Sequence, residues 1–396
     1  MKSKSLSFAL LGLMVIMSVF LIPDSISASG VMDPVVLDEA MFNKNMDIWM
    51  MLMLVAFLML FVRKFEWGVC QAVLLVTTTS FVTFMFIEQF VIGTAVADVW
   101  NMEMMILAVV CSITAVIGIG VFLGTVKMWH YLVAGVFFGI TFHIVLWYMF
   151  TVIPGWGFNE PTDPGGSILV HMLAAYWGLG VILVLRNKKV LDEPMYVSKH
   201  SVSFVYLAAM LLFILWPSFV TGLLDNMNDI VMATITCYMA GIGSIISAYL
   251  VCQIVEKKVN PLIFTYAMLA GPVAIGSPLL AFELSVAPWA ALALGLFAGA
   301  ASALSFMYLQ PFLTKKLGVL DVMGVHNLHG VAGWIGALVA AVVVTGAFVP
   351  NILAAVGVLV IGLATGAALG LFCKVTMGIE QEIMTDDTDF IDNPAP

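Results

Sequence analysis

Asp163-Pro-Gly-Gly-Ser-Ile-Leu-Val-His171 and Asp321-Val-Met-Gly-Val-His326-Asn-Leu-His329-Gly330 are the two stretches on which the reading of this chain turns. Each sets an Asp and a His inside sequence that is otherwise almost wholly apolar. Ionisable groups at bilayer depth are costly, and where they persist they mark a pathway, a proton relay or a ligand site. Three of the chain's six His lie in these two stretches.

Working outward, hydrophobic residues make up 62% of the 396 positions and charged residues 10%. That balance excludes an ordinary soluble domain and implies an all-α polytopic protein of the lipid bilayer. Residues 1–29 read as a signal peptide that is cleaved, with a first transmembrane helix retained as an anchor as the alternative: Lys2 and Lys4, an apolar run from Phe8 to Ile22, then Ser27, Ala28 and Ser29. A transmembrane body over residues 30–378 and an acidic tail over 379–396 follow. The tail carries six acids and no base from Glu380 to Asp392.

Apolar runs of roughly membrane length are expected near 46–62, 67–90, 103–124, 130–151, 166–185, 201–224, 229–254, 261–282, 286–309, 322–347 and 352–376. Eleven spans put the two ends of the body on opposite sides. The bases support that count, because Arg63 and Lys64, Lys127, Arg186 to Lys199, Lys257 and Lys258, Lys315 and Lys316, and Lys374 fall in alternate loops or after the last span. The intervening loops hold acids such as Asp98, Glu160 and Asp225 and no base. The excess of bases on the cytoplasmic side then places the N-terminus outside and the C-terminus in the cytoplasm, in a cell membrane (plasma or inner). A net charge of −9 offers no basic footprint for nucleic acid. The five Cys form no CxxC pair and read as packing residues, not disulfides or metal ligands. Gly362, Gly366 and Gly370 have the small-xxx-small spacing that lets helices approach closely.

The two His-bearing stretches fall in spans five and ten, so a division into five, five and one gives halves of opposite orientation. Each has an Asp upstream of a His and a Gly seven places after it, taking His171 with Gly178 and His326 with Gly333; Trp177 and Trp334 stand beside these Gly. An inverted repeat with its site where the halves meet is expected, and His171 and His326 are expected to face each other there. His329 reads as a satisfied core residue. Facing His can bind metal or haem or form a neutral hydrogen-bonded pair along a pore. His326 and His329 at i, i+3 lack the further ligand a zinc site wants, and no metal or cofactor is expected. The residues alone reach a pore, a relay or a ligand site and stop there.

At this point a family becomes recognisable. Asp163 to Gly178 (DPGGSILVHMLAAYWG) resembles the "D-x-GG-S/T…H…AY-GL" stretch of the Rh branch of the ammonium transporter (Amt/Mep/Rh) family, and Gly324 to Gly333 (GVHNLHGVAG) resembles its "G-x-H-N-L-H-G". Trp216-Pro217-Ser218-Phe219 matches its "WPSF", and Tyr308-Leu309-x-Pro311-Phe312-Leu313 its "YL-x-PFL". The resemblance covers the mature chain. It implies a homotrimer with one pore per protomer, two histidines sharing a hydrogen bond in an apolar lumen, and ammonia or ammonium as cargo. Those histidines map to His171 and His326, Asp163 to the acid near the outer mouth, and Phe219 to one of two stacked phenylalanines at the constriction. The other falls at Val110, where no aromatic stands. Val110 and Val322 complete the expected pore residues, with Glu160 and Trp156 in the vestibule. The outer Trp and Ser of the Amt branch fall near Thr151 and at Leu223 and are missing, which favours the Rh branch. An ammonia channel fed by ammonium is therefore expected, with methylammonium and carbon dioxide as further candidate permeants. An electrogenic Amt-type transporter, a carbon dioxide channel and a His-ligated redox or metal protein are the alternatives.

Overall fold

A computed structural model describes residues 34–62, 64–192, 197–377 and 383–390. The leader expected over residues 1–29 and the base Arg63 lie outside the described residues. Among the described residues there is no β-strand. Among the described residues the longer apolar helical segments are α1 (Pro34–Leu58), α2 (Glu66–Ile92), α3 (Met102–Ile119), α4 (Met128–Gly155), α5 (Ser167–Leu185), α6 (Lys199–Val220), α7 (Met227–Glu256), α8 (Pro261–Ile275), α9 (Ala287–Leu317), α10 (His326–Val343) and α11 (Phe348–Met377). Ten are long and apolar enough to cross a membrane, and α8 is the exception.

Several helix ends shift from the expected spans, and two departures have a plain physical reason. The first span is expected from residue 46, but α1 is already helical at Pro34. Lys44 and Asp47 sit inside it because each finds a partner on α6 or just beyond. The Lys44 ammonium donates to the carbonyls of Thr221 (2.8 Å) and Leu224 (3.0 Å), and Asp47 accepts from the Ser218 hydroxyl at 2.7 Å. Cations at a helix C-terminus are favoured by its dipole. The eighth span is expected to run unbroken over 261–282, yet α8 is two short pieces, Pro261–Ala267 and Ala270–Ile275. Pro272 lacks an N–H and its ring crowds the carbonyl four residues back, that of Met268. The freed Met268 carbonyl accepts the Ser244 hydroxyl at 2.6 Å, and the Val273 carbonyl accepts that of Ser167 at 2.7 Å. A broken helix survives at membrane depth only when its carbonyls are satisfied in this way.

Close packing rests on small residues. A methyl group at Gly366 or Gly370 of α11 would strike the carbonyl of Trp177 or Val181 on α5, so this glycine series works within the chain. Gly295 and Gly299 of α9 meet Ala240 and Ser244 of α7 in the same manner. Part of the acidic tail is bound to the body. The Asp386 carboxylate accepts the backbone N–H groups of Glu66, Trp67 and Gly68 at 2.8–3.1 Å, capping α2, while Met384 is buried and its N–H donates to the Gly124 carbonyl.

Candidate functional site

Helices α5 and α10 begin alike. Three residues after each Asp stands a glycine in the left-handed region, Gly166 (φ 76°) and Gly324 (φ 67°), a conformation that side chains with a Cβ resist. The turn so made delivers backbone N–H groups to the carboxylate. Asp163 accepts from Ile168 (3.0 Å) and Leu169 (2.8 Å), and Asp321 from Val325 (3.0 Å) and His326 (2.8 Å). Asp163 alone gains a side-chain donor, the Ser277 hydroxyl at 2.6 Å. Burial pushes both carboxyls up to about 6, while these hydrogen bonds pull down.

After each turn the helix opens as a π-turn, Ser167–Met172 in α5 and His326–Gly330 in α10. The wide turn decides which histidines meet. His171 Nδ1 lies 3.0 Å from His329 Nδ1, with the rings 5.0 Å apart and nearly parallel. This corrects the expectation that His326 is the partner of His171. In an α-helix residues three apart share a face, but in this wider turn His326 and His329 border different cavities. The sequence held the signal in another register: His171 and His329 each stand eight residues after their Asp, with Gly178 and Gly336 seven further on. The separation of 158 residues between the two His also separates Tyr176 from Trp334, whose indole N–H donates to the Tyr176 hydroxyl at 2.6 Å.

The pair borders two small cavities of about 40 Å³ each. One is walled by Met51, Ile113, His171, Trp216, Phe219 and His329, the other by Met59, Tyr266, Met323, Gly324 and His329; Val55, Leu58, Ile117 and Leu328 line both, so the two almost wholly apolar cavities are neighbours. The Phe219 ring stands 6.0 Å from His171 and borders the first of these cavities. Val110 and Val322 are buried and border neither cavity; Ile113 and Ile117 form the α3 wall instead. Val322 spends its N–H on the Val121 carbonyl. Glu160 and Trp156 are exposed, Trp156 packing its ring against Tyr148 at 6.2 Å, and neither borders these cavities. The α1 and α3 wall residues carry no sequence signal, being apolar positions in apolar helices.

Membrane-length helices packed around a histidine pair beside apolar cavities define a multi-pass membrane protein. The pattern of the Ammonium Transporter Family matches residues 13–390, and the chain belongs to that family. It is 31% identical to rat "Ammonium transporter Rh type C" over 246 residues, 61% of this chain and 48% of that protein. It is 36% identical to the rabbit Rh type C protein over 187 residues, 46% of this chain and 39% of the other. The chain thus aligns over half or less of the length of these curated relatives. A solved Rh50 structure from Nitrosomonas europaea, described in connection with conduction by Rhesus channels, superposes with a TM-score of 0.85 at 28% identity, covering 92% of this chain and 95% of that one. The family is one of transporters, not enzymes.

Proposed function

We propose that this chain conducts ammonia, fed by ammonium that loses its proton at the mouth, through the path on which His171 and His329 stand. The observation that carries the reading is the pair itself, bordering both halves of a path only wide enough for small molecules. Each half holds about 40 Å³, against roughly 30 Å³ for one water. A bare cation in such an apolar lumen costs many kcal/mol, whereas ammonia is neutral and needs only hydrogen-bond partners.

Two Nδ1 atoms at hydrogen-bonding distance require one ring to donate and the other to accept. With both rings neutral, one leaves Nε2 as an acceptor and the other Nε2–H as a donor. A hydrogen-bonding molecule in the path thus finds both roles. Phe219 narrows the entry, and Asp163 serves as an ionised organiser of the helix start whose field favours ammonium outside. We further read α1 to α11 as eleven spans, α8 completing its crossing through the broken segment, with halves α1–α5 and α6–α10 as an inverted repeat. The alternating bases put the C-terminus in the cytoplasm, and the family resemblance supports a homotrimer after removal of the leader. Stopped-flow alkalinisation of proteoliposomes under an ammonium gradient tests the reading. The wild type raises internal pH faster than empty liposomes without sustained current, and flux at the empty-liposome rate would refute it.

A further inference from the structure

The second histidine of the α10 stretch borders a cavity of its own. This space, of about 250 Å³, lies across the π-turn from the narrow path, between α5, α9 and α11. Its polar wall is Tyr176, Gln310, Thr314, Asp321, His326 and Asn327. Gln310 is spent, donating to the Asp321 carbonyl and accepting from Asn327. His326 is not: its Nδ1 is sealed from solvent with no hydrogen-bond partner. The Tyr176 hydroxyl accepts from Trp334, which leaves its own proton available. Asp321 accepts two backbone N–H groups but has no hydroxyl in the place that Ser277 takes on Asp163. Nor has it a cationic partner, since Glu88–His143 is the sole ion pair among the described residues. The cavity is therefore bordered by a carboxylate whose donors are backbone N–H groups alone and by an imidazole whose Nδ1 has no partner.

We propose that this cavity is a cytosol-side binding site for ammonium, whose N–H groups bridge the Asp321 carboxylate and the His326 ring. The proposal rests on the reading of the chain as an ammonia pore, since ammonia that crosses meets its proton on this side. Four N–H donors and one positive charge suit one carboxylate and one neutral imidazole acceptor. Sodium has the charge without the donors, and so has tetramethylammonium. The volume leaves room for attendant water.

Thermal unfolding of the purified full-length protein in detergent, titrated with ammonium, sodium or tetramethylammonium chloride at matched ionic strength, tests this. A ligand held by the folded state raises the midpoint. Ammonium alone is expected to give a saturable rise, retained in His329→Ala. The rise is expected to need about tenfold more ammonium, or more, in His326→Leu and in the cavity-filling Leu313→Trp. An equal rise with sodium or tetramethylammonium, no rise at all as for a cavity holding water only, or a wild-type response from His326→Leu would overturn the site. The ion comparison on the wild type decides even where a variant fails to fold. A wild type that conducts ammonia but shows no ammonium-specific rise sinks this site alone, whereas absence of flux sinks the pore reading.

Discussion

The starts of α5 and α10 solve one problem with unequal completeness. Both turn through a left-handed glycine, both hold N–H groups on a buried Asp, and both place a His eight residues on. At α5 the carboxylate also takes the Ser277 hydroxyl, and the Ser167 hydroxyl ties the same turn to broken helix α8. At α10 no side chain completes the shell, and a cavity opens beside the carboxylate. A closed shell fixes geometry, whereas an open one leaves acceptors for something that comes and goes.

The comparison can be broken first at the carboxylates. Asp163→Ala strands two backbone donors and a buried hydroxyl, for a loss on the order of 3 kcal/mol or more. Asp321→Ala strands two donors only and is expected to cost less. Denaturant unfolding in detergent measures both, and a costlier Asp321→Ala would reverse the ranking of the two shells. Next come the histidines. Loss of either Nδ1 partner removes the shared hydrogen bond, so His171→Ala and His329→Ala are each expected to cut ammonia flux or cation rejection about tenfold or more. His326→Ala is expected to keep the selectivity of the wild type. Stopped-flow flux of the three variants side by side decides which histidine belongs to the path. Gly166→Ala forces a Cβ into the left-handed region and toward the Val170 side chain, at about 1–2 kcal/mol. If circular dichroism melts show no shift, the turn is less constrained than its φ implies. Smallest is Ser277→Ala, expected to cost about 1 kcal/mol while leaving the protein conducting. A loss as large as that of Asp163→Ala would mean that the hydroxyl, not the backbone, holds the carboxylate.

Much of this architecture is legible because apolar length and charged loops are strong signals in a bilayer protein. Legibility fails where tertiary partners act. Nothing near Lys44 and Asp47 in sequence announces Thr221, Leu224 or Ser218, so α1 is read too short. Pro272 could have warned of the break in α8, but the hydroxyls that make the break tolerable come from Ser244 and Ser167, far along the chain. His326 is taken for His329 because α-helical spacing is assumed where the backbone widens into a π-turn. The path's apolar wall stays hidden, since Ile113 and Val55 look like every other residue of their helices.

On the proposed repeat, His171 and His329 are the same residue met twice, and each touches its own counterpart. A contact astride a symmetry axis can be even-handed in every atom except the hydrogen between the rings, which must sit nearer one of them. The bridge is therefore a double well, with two proton placements that exact symmetry would make equal in energy. The tilt comes from unlike neighbours, for Trp216 and Phe219 flank only the His171 ring at 5.7 and 6.0 Å. Imidazole nitrogen shifts in a selectively labelled sample would show which well is deeper, and hence which ring offers the acceptor and which the donor.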